Sequence, residues 1–380
     1  MERIYLDHAA TSPIHPTVLE KIVPIMRDTF GNPSSIHSFG RESRHLLDEA
    51  REVIARAIHA RSKEIVFTSG GTEADNMAII GTAMANQHKG KHIITTSIEH
   101  HASLHACQYL ESQGFDVTYL PVDEEGMVKL EEVKRALRDD TILVTIIYGN
   151  NEVGSIQPIK QIGELLADHQ AYFHTDAVQA FGILPIDVQQ LQVDMLSASS
   201  HKINGPKGVG FLFVREEIKI SPRAFGGEQE LKRRAGTENV HGIAGFAEAV
   251  KIAEATRNEK QVQYQELKKV MMDTFKQHGI HYSLNGSVEN RLPHIVNVHF
   301  PGTNVESLLV NFDLAGIAAS SGSACTAGSV DPSHVLVAMF GQQSEKIVSS
   351  IRFSFGYGNT IEQVALAAEK IAQIVKRLTT

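Results

Sequence analysis

Between about residues 63 and 215 the chain repeats one pattern. A short, nearly continuous apolar run is followed by a longer stretch whose apolar residues recur at helical spacing. EIVFTS precedes GTEADNMAIIGTAMANQ, KHIITTS precedes HASLHACQYLESQ, FDVTYLPV precedes KLEEVKRALRD, and TILVTIIYG precedes IKQIGELLADH. In KLEEVKRALRD the apolar Leu130, Val133, Ala136 and Leu137 fall on one helical face. AYFHTD, DMLSASS and GVGFLFVR read as further strands. Strands without alternation, joined by one-sided helices, predict βα units around a mostly parallel, buried sheet. A charged, apolar-periodic stretch from about Ala253 to Gln277 predicts a long connecting helix. Beyond it, HIVNVHF, IAASSG and SIRFSFG alternate with helical NVESLLVNF and TIEQVALAAEKIAQIVKRL, a second α/β unit.

The 380 residues exceed what one hydrophobic core usually fills, roughly 250–300 residues, so a large domain and a smaller one are expected. With 42% hydrophobic and 21% charged residues, the composition is that of an ordinary globular chain. A net charge of −8 argues against general nucleic-acid binding. The start MERIYLDHAATSP places charges where a signal peptide would be apolar, and TILVTIIYG is too short for a membrane helix. The only cysteines, Cys107 and Cys325, make neither a secreted disulfide framework nor a CxxC pair. The cytoplasm is the expected location.

Parallel sheets bind ligands beyond the carboxyl ends of their strands. Three polar groupings fall there. In TSGGTEADN (68–76) a strand ends, two glycines turn the chain, and a helix begins near Thr72. Exposed N–H groups at that helix end suit a phosphate, although the turn also reads as a well-capped βα connection. It is neither GxGxxG nor GxxxxGK[ST]. In HTDAVQA (174–180), Asp176 ends a strand and can either hold a protonated ring nitrogen or cap the next helix. In SASSHKINGPKGVG (197–210), Lys202 follows an apolar–small strand and is either a Schiff-base lysine or an exposed turn lysine. Phosphate cradle, ring-nitrogen acid and Schiff-base lysine together are the parts that pyridoxal 5'-phosphate (PLP) requires. Cys325 stands apart from these. It lies in ASSGSACTAGS (319–329), among small polar residues that suit a loop exposing its sulfur. His101 and His105, spaced i, i+4, lack a third metal ligand in the sequence and read as helix-surface or core histidines, so no metal is expected. Cys107 reads as packed.

Motifs along nearly the whole chain are similar to those of the cysteine desulfurases of NifS/IscS type, in the fold-type I, class V aminotransferase group of PLP enzymes. They are YLDHAAT, GNPSSIHSFG, TSGGTEADN, IEHHA, NNEVG, HTDAVQ, SSHKINGPKG, RAGTENV, SSGSACTAGS and IRFSFG. The resemblance implies a large PLP-binding domain over 15–255, and a small α/β domain over 1–14 and 256–380 carrying the cysteine loop. It implies a transferase that converts L-cysteine to L-alanine and places the sulfur on Cys325 as a persulfide, on a loop that moves. Lys202 would carry PLP, Asp176 would face its ring nitrogen, and Gln179 its phenolic oxygen. Gly71, Thr72, Ser199 and His201 would hold the phosphate, joined by Thr237 from a second subunit of a homodimer. His100 would stack on the ring and handle protons; Asn151 and Arg352 would hold the substrate carboxylate. The sulfur would pass to an acceptor protein, an iron–sulfur scaffold or a tRNA thiolase, with no membrane or direct nucleic-acid partner. A selenocysteine lyase or another class V aminotransferase is the nearest alternative; a non-catalytic sulfur-transfer scaffold is the alternative of another class.

Overall fold

The computed structural model describes residues 3–322 and 332–379 in full, and between them the backbone of Cys325–Thr326 and Ser329–Val330, which pair antiparallel. Seven strands form the central sheet, in the order Ile65–Thr68, Gly210–Val214, Met195–Ser199, Tyr172–Asp176, Thr141–Thr145, His92–Thr96, Asp116–Leu120. Gly210–Val214 runs antiparallel to both neighbours, and every other pairing is parallel. The absence of alternation in the sequence has its reason here. Strands such as His92–Thr96, Thr141–Thr145 and Met195–Ser199 are buried at every residue, under helices on both faces. Only the edge strand Asp116–Leu120 is largely half-exposed.

The connecting helix spans Val240–Gln277, starting thirteen residues before the expected Ala253. Its first turns, VHGIAGFAEAV, are buried almost all round, so no polar face marks them as helical in the sequence. The Asn239 side chain caps this end by accepting the Gly242 N–H. A second sheet pairs Ser283–Asn285 and Ser350–Ser354 antiparallel with opposite sides of Ile295–His299. Its core of Phe275, Phe300, Phe312 and Phe353 also takes in Ile4 and Leu6. Ile4–Tyr5 enters by pairing in parallel with Ile317–Ala318. The N-terminal strand therefore brings Ala9 and Ala10 between the two sheets. Among the described residues, no helix is long and apolar enough to cross a membrane.

Candidate active site

The carboxyl ends of the parallel strands open into a cavity of about 460 Å³. Several βα units deliver groups to it. Gly71 and Thr72 begin the helix after Ile65–Thr68; His100 precedes the helix after His92–Thr96; Asn151 follows Thr141–Thr145; Asp176 and Ser199 end their own strands. Gln179, His201, Lys202 and Arg352 line the same cavity. A buried parallel sheet converges its strand ends on one edge, so residues far apart in sequence meet there.

The turn before the helix Gly71–Asn86 can hold an anion. Gly70 has φ +153, a conformation L side chains rarely adopt, and it lets the chain double back at the strand end. A Cβ on Gly210 would lie 2.7 Å from the Gly70 Cα, so the turn sits flush against the neighbouring strand. Ser199, His201 and Lys207 surround the same turn from its other side. The His201 ring, whose Nδ1 lies 3.1 Å from the Thr11 hydroxyl, has its pKa lowered to about 4 by burial and by Lys202 and Lys207.

Lys202 places its amine in the cavity. Its Nζ donates to the carbonyls of Ala9 (2.5 Å) and Ala10 (2.8 Å). Burial lowers its pKa to about 8, with Arg352 adding to the effect and Asp176 and Asp7 opposing it. At neutral pH this raises the uncharged fraction from roughly one in 3,000 to roughly one in ten. A lysine so placed is a ready carbonyl nucleophile.

Facing it is a nest of buried acids. Asp176 is 3% exposed; burial raises its pKa to about 6, while the Val178 N–H (2.8 Å) and Lys202 pull it down. Asp75, on the helix Gly71–Asn86, is 1% exposed and also lines the cavity. Its oxygen, one on Asp176 and a ring nitrogen of His100 all lie within 4.8 Å of one another. Two charges at about that distance repel by about 3.5 kcal/mol at an effective dielectric of about 20. Burial first, then this repulsion, holds Asp75 well above the ordinary carboxylate range. Glu99, fully buried beside them, is pushed up to about 8 by burial.

The cavity also holds a buried guanidinium. Arg352 is 4% exposed; its Nη1 donates to the Asn151 carbonyl (2.9 Å) and its Nη2 to Asp7 (2.7 Å), and its Nε has no partner. A guanidinium fixed on two sides can offer its remaining N–H groups to a carboxylate. His100 caps the helix His101–Ser112 through Nδ1, which accepts the Ala102 N–H at 3.2 Å. Its ring lines the cavity while staying exposed there, and desolvation and Lys202 lower its pKa to about 4. It is therefore neutral, and with Nδ1 accepting from Ala102 its proton sits on Nε2. Gln179 donates to the Ala9 carbonyl at 2.8 Å.

Two expected residues are not in this constellation. Thr237 is exposed and lines a separate hollow with Met26 and Phe30. The side chain of Cys325, and with it the expected movement of its loop, lies outside the described residues. Conversely, Asp75, Glu152 and His334 line the cavity without having been singled out from the sequence. Glu152 joins the two ends of the cysteine segment. Its Oε2 accepts the Ser333 hydroxyl at 2.5 Å, and Gly322, at φ +89, packs so closely that a Cβ would lie 2.5 Å from the same oxygen. His101 has a third histidine beside it, His334, with ring centroids 4.7 Å apart. Cys107 is fully buried, as expected, and burial pushes its pKa up to about 12.

A family model described as aminotransferase class-V matches residues 4–366. The chain is 63% identical, over all of both chains, to the IscS 1 protein of Bacillus subtilis (strain 168). It is 50% identical to the cysteine desulfurase IscS of Methanosarcina thermophila, across 99% of this chain and 92% of that protein. A solved structure described as a NifS-like protein superposes with a TM-score of 0.92 at 35% identity, covering 99% of this chain and 100% of the other. Another, SspA in complex with cysteine, gives a TM-score of 0.80 at 38% identity, covering 93% and 98%. The chain belongs to the aminotransferase class-V family and, within it, to the cysteine desulfurases of NifS/IscS type.

Proposed function

We infer that this chain is a PLP-dependent cysteine desulfurase that converts L-cysteine to L-alanine and passes the sulfur on as a Cys325 persulfide. One observation carries the reading: Lys202, Asp176, the Gly70–Thr72 turn and Arg352 meet in a single cavity. The cavity fits the cofactor on its chemistry. The helix start takes a phosphate, Asp176 a ring N–H, Gln179 a phenolic oxygen, and Lys202 a carbonyl carbon. When bound, PLP supplies an electron sink for the bond changes at the substrate Cα. The protein supplies the rest. Arg352 and Asn151 orient the substrate carboxylate, Lys202 removes and returns the α-proton, and His100, neutral with its proton on Nε2, is a proton donor beside the reacting centre. The Cys325 thiolate takes the substrate sulfur.

The reading is tested by adding PLP to the apoprotein and reducing with borohydride. The label is expected on the Lys202 peptide. A protein that binds PLP but carries no label on Lys202 would overturn the assignment.

A homodimer with shared sites is part of the proposal. Leu19, Val23, Met26, Phe30, Ile36 and Phe39 are exposed on one stretch of chain, Ile36 at 91% and Phe30 at 75%. Thr237 borders that stretch. A patch of this kind marks an interface, and a second copy there would bring Thr237 to the partner's phosphate. Mixing inactive Lys202→Ala and Thr237→Ala chains is expected to restore activity, because one site of each mixed dimer holds both native residues. No recovery after proven subunit exchange counts against shared sites. The division into a unit over 15–255 and one over 1–14 and 256–380 is likewise proposed, supported by separate hydrophobic clusters. A cytoplasmic location is proposed from the cysteine usage. The sulfur acceptor is proposed as an iron–sulfur scaffold or a tRNA thiolase, and following labelled sulfur from the loaded protein distinguishes them.

A further inference from the structure

Asp75 is a buried acid that the proposed chemistry leaves unused. Its Oδ1 has no hydrogen-bond partner, although the side chain lines the cavity. The cation-forming group nearest it, His174, has Nε2 3.7 Å away, but that ring is committed elsewhere. Its Nδ1 lies 2.8 Å from the Thr145 hydroxyl and its Nε2 lies 2.9 Å from the Ser197 hydroxyl. Burial lowers the His174 pKa to about 3, so the ring is neutral. Ser197 in turn is hydrogen-bonded to Asp75. Donation can therefore run from Thr145 through His174 and Ser197 and end on Asp75, a chain of dipoles aimed at a carboxylate with no counter-ion.

The groups facing Asp75 come from two other segments, His174 and Asp176 on one strand and Glu99 and His100 before the helix His101–Ser112, with Lys202 across the cavity. Of these, only Lys202 carries positive charge, and its two close carbonyl partners are Ala9 and Ala10. Among the described residues, no cationic side chain is paired with Asp75 itself, the nearby His174 being neutral.

We propose that Asp75 and Asp176 form a two-carboxylate seat for the ring nitrogen of the cofactor, holding one shared proton when empty and releasing it when the cationic ring arrives. The proposal rests on the reading of the cavity as a PLP site. Asp176 keeps its charge because the Val178 N–H and Lys202 favour it, so Asp75 holds the proton. Arrival of the ring N–H⁺ removes the repulsion between the two acids. Asp75 then loses its proton to solvent, and the ring keeps its own. Asp75 is thus a positioning residue, acting through the pair rather than on the substrate.

The test compares wild-type and Asp75→Asn apoproteins. PLP is titrated by calorimetry near pH 6 in buffers of different ionisation enthalpy. The wild type is expected to release more protons per PLP than the variant, by a difference approaching one. In the loaded proteins, ¹⁵N NMR of ring-labelled PLP is expected to show N–H protonation persisting about tenfold further in proton concentration in the wild type, since a nearby opposite charge shifts such groups by one unit or more. Equal proton release and equal ¹⁵N titration overturn the proposal while leaving the PLP site standing. Failure of the wild type to take up PLP overturns the PLP reading instead. If the variant does not fold, ¹³C NMR of aspartate carboxyls in the wild-type apoprotein decides. Asp75 should be protonated before PLP is added and ionised after; an Asp75 ionised throughout defeats the proposal.

Discussion

Cys325→Ser abolishes catalytic alanine formation from L-cysteine, with an expected loss on the order of a thousandfold or more, as when a nucleophile is removed from a concerted site. A serine hydroxyl keeps the size but cannot accept sulfur, and at neutral pH it offers almost no anion. PLP content, and the borohydride label on Lys202, should be unchanged, because no described cavity group that would hold the cofactor depends on residue 325. Cys107→Ser is the matched control. Cys107 is fully buried and its thiol is held protonated by burial, so it cannot substitute as nucleophile. Mass spectrometry after one turnover should find the extra sulfur on the Cys325 peptide only. A Cys325→Ser protein that still forms persulfide at the native rate, or sulfur found on Cys107, would remove Cys325 from the mechanism.

The second large effect is at Lys202. Lys202→Ala should lower kcat by about 10²- to 10⁴-fold, the usual range for losing a positioned acid–base group. KM for L-cysteine should change far less, since Arg352 and Asn151 remain to hold the carboxylate. A small primary amine added to the buffer should restore part of the rate. That rescue should grow with pH, because only the uncharged amine is useful. In the native protein the same requirement sets the pH dependence of cofactor loading. Lys202 has its pKa lowered to about 8, so the rate of PLP uptake should rise with pH and level off near that value. Levelling off near the ordinary lysine value, or a Lys202→Ala protein within tenfold of native activity, would contradict this role.

Much of this site was legible in the sequence because parallel strands write their ends plainly. Asp176 ends a strand that opens on the apolar run AYF, Lys202 follows a strand of small and apolar residues, and Gly70–Gly71 break the chain between a strand and a helix. The reversed direction of Gly210–Val214 left no mark, since a strand buried on both faces has the same composition in either orientation. The helix from Val240 was read too short for a related reason: burial on all sides erases the period. Asp75 and Glu152 were missed because each sits inside a motif whose other members drew the chemistry. In TSGGTEADN the glycines suggested the phosphate, and in NNEVG Asn151 took the substrate role. Nothing local states that either acid is buried at the cavity; that follows only from what packs around it.

Glu152 beneath both Gly322 and Ser333 has a geometric consequence for sulfur delivery. The segment is a tether with both feet at one point, and Cys325 is not at its middle. It stands three residues from Gly322 and eight from Ser333. A chain spans at most about 3.3–3.6 Å per residue, so the shorter arm confines the Cys325 backbone to a radius of about 10–11 Å around Gly322. Any acceptor that takes sulfur from Cys325 would have to approach to within about that radius, plus the length of one side chain, of Gly322.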